Sequence, residues 1–99
     1  MRFELVPTEY FLSQIGNLPK KYKNQIRKKV ELIKQNPFRF KKIHSKKFSR
    51  VFRVRMNIEG KETRLVYVVV GTKIIIAGLL ERSKEYRDLE TYLSKILFL

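Results

Sequence analysis

The chain has 99 residues, 43% of them apolar, and 23 Lys and Arg against 9 Asp and Glu, a formal net charge of +14. That length and apolar content suit one domain, residues 1–99, with a modest core, and exclude whole-chain disorder. The absence of cysteine removes disulfides, thiolate metal sites and thiol nucleophiles from consideration. The longest apolar runs, "LVYVVV" and "IIIAGLL", fall far short of the roughly 20 residues of a membrane span, and the N-terminus lacks a signal-peptide core, so a cytoplasmic location without membrane contact is expected.

In chain order, residues 2 to 6 ("RFELV") alternate as a first strand ended by Pro7. Thr8 is a suitable N-cap for a short helix carrying Phe11, Ile15 and Leu18, with Gly16 and Asn17 to end it. Pro19 suits the first turn of a second helix, along which Tyr22, Ile26, Val30 and Ile33 draw one apolar stripe. Asn36 before Pro37 terminates it. The following "NPFRFKKIHSKKFSR" has no clear period and reads as a basic connecting loop.

From Val51 the period switches to two. Phe52, Val54 and Met56 point one way, Arg53 and Arg55 the other. "NIEGKE" makes a turn with Gly60 at positive φ, "TRLVYVVV" is a central strand, and Gly71-Thr72 turns into a third strand, "KIIIAGLL". Tyr86, Leu89, Leu93 and Ile96 give a last helix or helical turn. The expected fold is α+β: an N-terminal strand, a two-helix antiparallel hairpin on one sheet face, a three-stranded antiparallel meander and a short C-terminal helix.

The charge is uneven. Lys20 to Arg55 holds 15 basic residues and one acidic residue, while the remainder is neutral. Such a block makes a polyanion the default partner, the alternative being a merely solvated lysine-rich face. Lys20, Lys21, Lys23, Arg27, Lys28, Lys41, Lys42, Lys46 and Lys47 are the candidate RNA or ribosome contacts. A hairpin register summing to 119 sets Arg55 opposite Arg64 and Arg53 near Leu65 or Val66. Like charges facing each other across strands cost roughly 0.2 to 1 kcal/mol. Either the arginines form an open cluster for phosphate oxygens on a concave sheet face, or they pair with Glu59, Glu62 or Glu81.

Together, "NP" followed by basic residues, "FRVRM", "RLVYVVV" and "ERSKEYRDL" resemble the RelE/ParE superfamily of toxins over nearly the whole chain. The resemblance implies a compact toxin held by an acidic RelB-like antitoxin. In the RelE branch it acts in the ribosomal A site, where the mRNA 2′-OH attacks the adjacent phosphate without metal or cofactor. The ParE branch instead inhibits DNA gyrase, and a non-catalytic RNA or ribosome binder is a third reading. Carried over, the catalytic residues fall on Arg53, Arg55, Arg64, Arg82 and Tyr86. Arg53 and Arg64 are expected to stabilise the phosphorane, Arg82 to serve the leaving 5′-oxygen, and Tyr86 to stack on a base or orient the 2′-OH. The family pattern commonly has lysines in the basic pair, and a guanidinium at Arg55 is a poor proton acceptor. Glu81 or Glu85 is the substitute base if either reaches the groove. The lone histidine, His44, is expected to be exposed or in contact with RNA, not catalytic.

Overall fold

The computed structural model describes residues 2–45, 47–81 and 93–95. The elements run β1 (Glu4–Pro7), α1 (Glu9–Gly16), α2 (Lys20–Gln35), β2 (Lys41–Ile43), β3 (Val51–Ile58), β4 (Lys61–Val70) and β5 (Lys73–Glu81), with helical backbone again at 93–95. The five-stranded sheet has the order β1-β5-β4-β3-β2. All neighbours are antiparallel except β1, which runs parallel to β5. The meander therefore has four strands, not three. Lys41–Ile43 lies in the segment expected to be loop, and three residues are too few to display a period of two.

Thr8 joins the first strand to the first helix. Its hydroxyl oxygen accepts from the Phe11 N–H at 3.1 Å, and its own hydrogen lies within reach of the Ile76 and Ala77 carbonyls at 3.0 and 3.1 Å. One side chain thus caps α1 and ties it to β5. Beyond Ile76, β5 has outrun its partner β1 and would present a bare edge. Gln14 of α1 covers it: its amide donates to the Leu79 carbonyl at 2.8 Å and accepts from the Leu79 N–H at 2.7 Å. Pro19 is the N-cap of α2 and not its first helical residue; its ψ of 151° is extended, so the helix begins at Lys20.

The helical face of the sheet buries Phe52, Val54, Met56, Ile58, Leu65, Tyr67, Val69, Ile74 and Ile76 against Phe11, Ile26 and Ile33. Tyr67 is the strut of this layer. Its ring stacks on Phe52 with centroids 5.4 Å apart, and its hydroxyl donates to the buried Pro37 carbonyl at 2.5 Å. That bond pins the end of α2 to the middle of the sheet. Burial pushes the Tyr67 phenol well above its ordinary value near 10.

The β3–β4 turn is two residues long, Glu59 at φ 53° and Gly60 at φ 77°, with Ile58 paired to Lys61. Positive φ at both positions matches the twist of the flanking strands, but only the second is glycine. Replacing Glu59 by Gly is expected to raise the unfolding free energy by about 0.5 to 1 kcal/mol, read from urea denaturation. Tyr67→Phe is expected to cost about 1 to 2 kcal/mol, because the Pro37 carbonyl loses its partner. The native phenol holds its proton above pH 10 while the unfolded one releases it, so wild-type stability should fall as pH rises beyond 10. Tyr67→Phe, compared in the same urea series, should lack that component.

Candidate functional site

Strand alternation sorts the chemistry onto two faces. Residues opposite each other across a ladder share a face, so the register builds rows on the side away from α1 and α2. Ile43, Val51, Val68 and Ile75 form one row. Lys41, Arg53, Val66 and Gly78 form the next. Arg55, Arg64 and Leu80 form the third, followed by Asn57 and Glu62. The structure therefore brings Arg53, Arg55 and Arg64 together, in the register the sequence led us to expect. Arg82 and Tyr86 lie outside the described residues, as does Lys46.

This face is not the open concave surface anticipated. A second apolar cluster of Ile43, Val51, Val66, Val68, Ala77 and Leu93 sits on it, with Phe48 and Leu80 at its margins. Leu93 is fully buried there, and Arg53 is only 9% exposed. A β-bulge between Val66 and Tyr67 contributes: Val66 faces Gly78 while Tyr67 faces Ile76, so Ala77 is the extra residue and joins this cluster. The Nη1 of Arg53 is buried and has no hydrogen-bond partner among the described residues. Arg55 is exposed and Arg64 half-buried, so the cations grade from buried to solvated across neighbouring rows.

Carboxylates of the described residues do not neutralise Arg53 or Arg55 as the alternative reading required. Among the described residues, Arg53 and Arg55 form no ion pair. Glu81 shares its row with Thr63 and Met56, on the helical side of the sheet, and pairs with Lys61 at 3.6 Å. It therefore does not reach the arginine face. Glu62 does lie there, one row beyond Arg55 and Arg64, and Lys41 stands directly across from Arg53. Residue order assigns neither of them to the reacting centre. Lys41 was hidden because its strand read as loop, and Glu62 because only the register reveals its row. No three His, Cys, Asp or Glu side chains converge as a metal site among the described residues.

The remaining cations divide between layers. Lys20, Lys21, Lys23, Arg27 and Lys28 belong to α2, which packs through Ile26 and Ile33 on the opposite face from the arginines. Lys42 pairs with Phe52 and so projects toward the helical side, whereas Lys41 projects toward the arginines. Lys47 is exposed in the β2–β3 loop, and His44 is exposed just past β2. The basic block is a band around the molecule and not one patch.

No protein-family profile and no curated protein sequence matches the chain. Among solved structures, it matches the E. coli toxin RelE, an arginine-to-alanine double mutant in the free state, at 19% identity and TM-score 0.66, over 98% of this chain and 100% of that one. The chain has a RelE-like fold. The agreement is one of architecture, and the expected fold class stands with the added strand β2. No helix among the described residues is long and apolar enough to cross a membrane.

In this RelE-like sheet the Arg53 guanidinium is a stability burden, since a buried charge whose Nη1 has no acceptor among the described residues is costly. Arg53→Met is expected to raise the unfolding free energy by about 1 kcal/mol at low salt. Arg55→Thr should add roughly 0.2 to 1 kcal/mol by relieving the repulsion from Arg64, a gain that shrinks at high salt. Urea midpoints at two ionic strengths measure both.

Proposed function

We propose that this chain is the toxin of a toxin–antitoxin pair, an endoribonuclease that cuts mRNA in the ribosomal A site by attack of a ribose 2′-OH on the adjacent phosphate. The observation that carries the reading is the cross-strand juxtaposition of Arg55 and Arg64 beside the buried, incompletely satisfied Arg53. Three guanidinium groups at adjacent register positions are suited to the extra charge of a phosphorane. The RelE-like architecture supports the same conclusion.

In this reading Arg53 and Arg64 stabilise the equatorial oxygens of the phosphorane, and Arg55 holds the neighbouring phosphate. Arg82 serves the departing 5′-oxygen and Tyr86 stacks on a base or orients the 2′-OH. Attack of the 2′-oxygen on phosphorus breaks the P–O5′ bond, leaving a 2′,3′-cyclic phosphate and a 5′-hydroxyl. The 2′ proton leaves to a base, and the 5′-oxygen gains one from an acid. Among the described side chains of the arginine rows, Glu62 and Lys41 are the groups able to exchange a proton in these ways, since guanidinium does not. The α2 cations, with Lys41, Lys42, Lys46 and Lys47, attract the ribosome and its mRNA through long-range charge. A cognate antitoxin is the acidic partner that holds the protein inactive.

The test is translation of a defined mRNA with purified protein, with the cut ends mapped. Cleavage should vanish when the ribose 5′ of the cut is 2′-deoxy. Arg64→Ala should slow cleavage by about 10² to 10³. Glu62→Gln should lower the rate by about 10² or more and remove one limb of its pH profile. Intact mRNA accompanied by loss of gyrase supercoiling would overturn the proposal.

A further inference from the structure

The segment between α2 and β3, which includes β2, carries a feature that the arginine rows do not absorb. Asn36 to Arg39 forms a tight turn, in which the Asn36 side-chain oxygen accepts from the Phe38 N–H at 3.1 Å and its carbonyl from the Arg39 N–H at 3.3 Å. This turn, anchored by buried Pro37, holds Phe38 out at 47% exposure. The Phe38 ring is fixed on its inner side by edge contacts to Phe3 and Phe52, each with centroids 5.9 Å apart. Arg50 places its guanidinium 5.5 Å from the ring centroid. Arg50 also lines a cleft of about 410 Å³ with Lys47, Ser49 and the half-exposed Val70. The described residues lining that cleft include no carboxylate.

We propose that Phe38 and Arg50, with the adjoining cleft, form a second RNA subsite that takes one unstacked nucleotide of a single strand. The base stacks on the Arg50–Phe38 pair, and Lys47 and Ser49 meet the backbone phosphate. A rigid, half-exposed aromatic ring carrying a guanidinium is a stacking platform, and every base offers it a π-face. The neighbouring cations select a polyanion, and a flat platform distinguishes an unpaired base from an acidic peptide. Val70, at the cleft, and Arg64, in the arginine rows, are six residues apart on β4, about 20 Å. The cleft and the arginines are therefore separated by the length of a few nucleotides. The inference rests on the reading that this chain engages RNA, but it does not require cleavage.

The chain has no tryptophan, so Phe38→Trp installs a single reporter. Its fluorescence is titrated with 2′-O-methyl octauridylate, which cannot be cut, and with a blunt RNA duplex and an octaglutamate peptide as comparators. Saturable quenching by the single strand is expected, with affinity about tenfold lower when Arg50→Ala is added. Lys47→Ala should reduce the slope of log affinity against log salt by about 0.7. Absence of quenching in a folded variant, or equal quenching by duplex or peptide, overturns the subsite. Should Phe38→Trp fail to fold by circular dichroism, the wild-type chain is photocrosslinked to a 4-thiouridine oligonucleotide. Crosslinks must then fall within residues 38–50, and crosslinks elsewhere alone overturn it. Quenching without mRNA cleavage would remove the nuclease reading and leave the subsite, and cleavage without quenching would do the reverse.

Discussion

The register of β3 against β4 is the constraint from which the arginine face follows. It is set locally, by two consecutive residues at positive φ, Glu59 and Gly60. A two-residue turn of this kind admits one pairing, Ile58 with Lys61, and every later pair is then determined. Arg55 meets Arg64, Arg53 meets Val66, and Phe52 meets Tyr67. A slip by one residue would send the three arginines into the helical core and the Phe52 and Tyr67 rings into the other layer. The burial of both rings, and the Tyr67 hydroxyl bond to Pro37, penalise that slip from the opposite side of the sheet.

Tyr67 thereby couples two parts of the molecule that look unrelated in the sequence. Its hydroxyl fixes Pro37, and Pro37 fixes the turn that holds Phe38 outward and leads into β2. Placing β2 beside β3 sets Lys41 across from Arg53. An interaction in the apolar layer thus governs which cations meet on the other face. Gln14 acts similarly at the far edge, where its paired bonds to Leu79 finish β5 after β1 has ended.

Much of this was readable from residue order, because short-range rules apply where the pattern is strong. Thr8 as N-cap, Asn36 as the end of α2 and the hairpin pairing sum all follow from local stereochemistry. The failures have a common physical origin. Strand β2, the row position of Glu62, the helical-side location of Glu81 and the burial of Arg53 depend on which strands become neighbours and what covers them. Local periodicity does not report those relations. Arg53 is the clearest case: alternation gives its face correctly, but a cationic residue carries no sign of the apolar cluster of Val51, Val66 and Leu93 that shares it.

That cluster changes how the arginines act. On an open surface each guanidinium would be hydrated, and a phosphate would displace water from all three at a modest net gain. Across from Val66, on the face that the cluster covers, Arg53 has already lost much of its hydration, while Nη1 has found no acceptor among the described residues. The cost of stripping that group is met during folding and not at the moment an anion arrives. Under the proposed function, an oxyanion admitted to this group by a local opening of the cluster would recover a large interaction in a medium of low dielectric. Arg55, being exposed, supplies the hydrated end of the gradient, where under the proposed function a polyanion would first be attracted. Under the proposed function, the same apolar neighbours that make the face look unlike a nucleic-acid surface would strengthen the hold of its innermost cation on a phosphate.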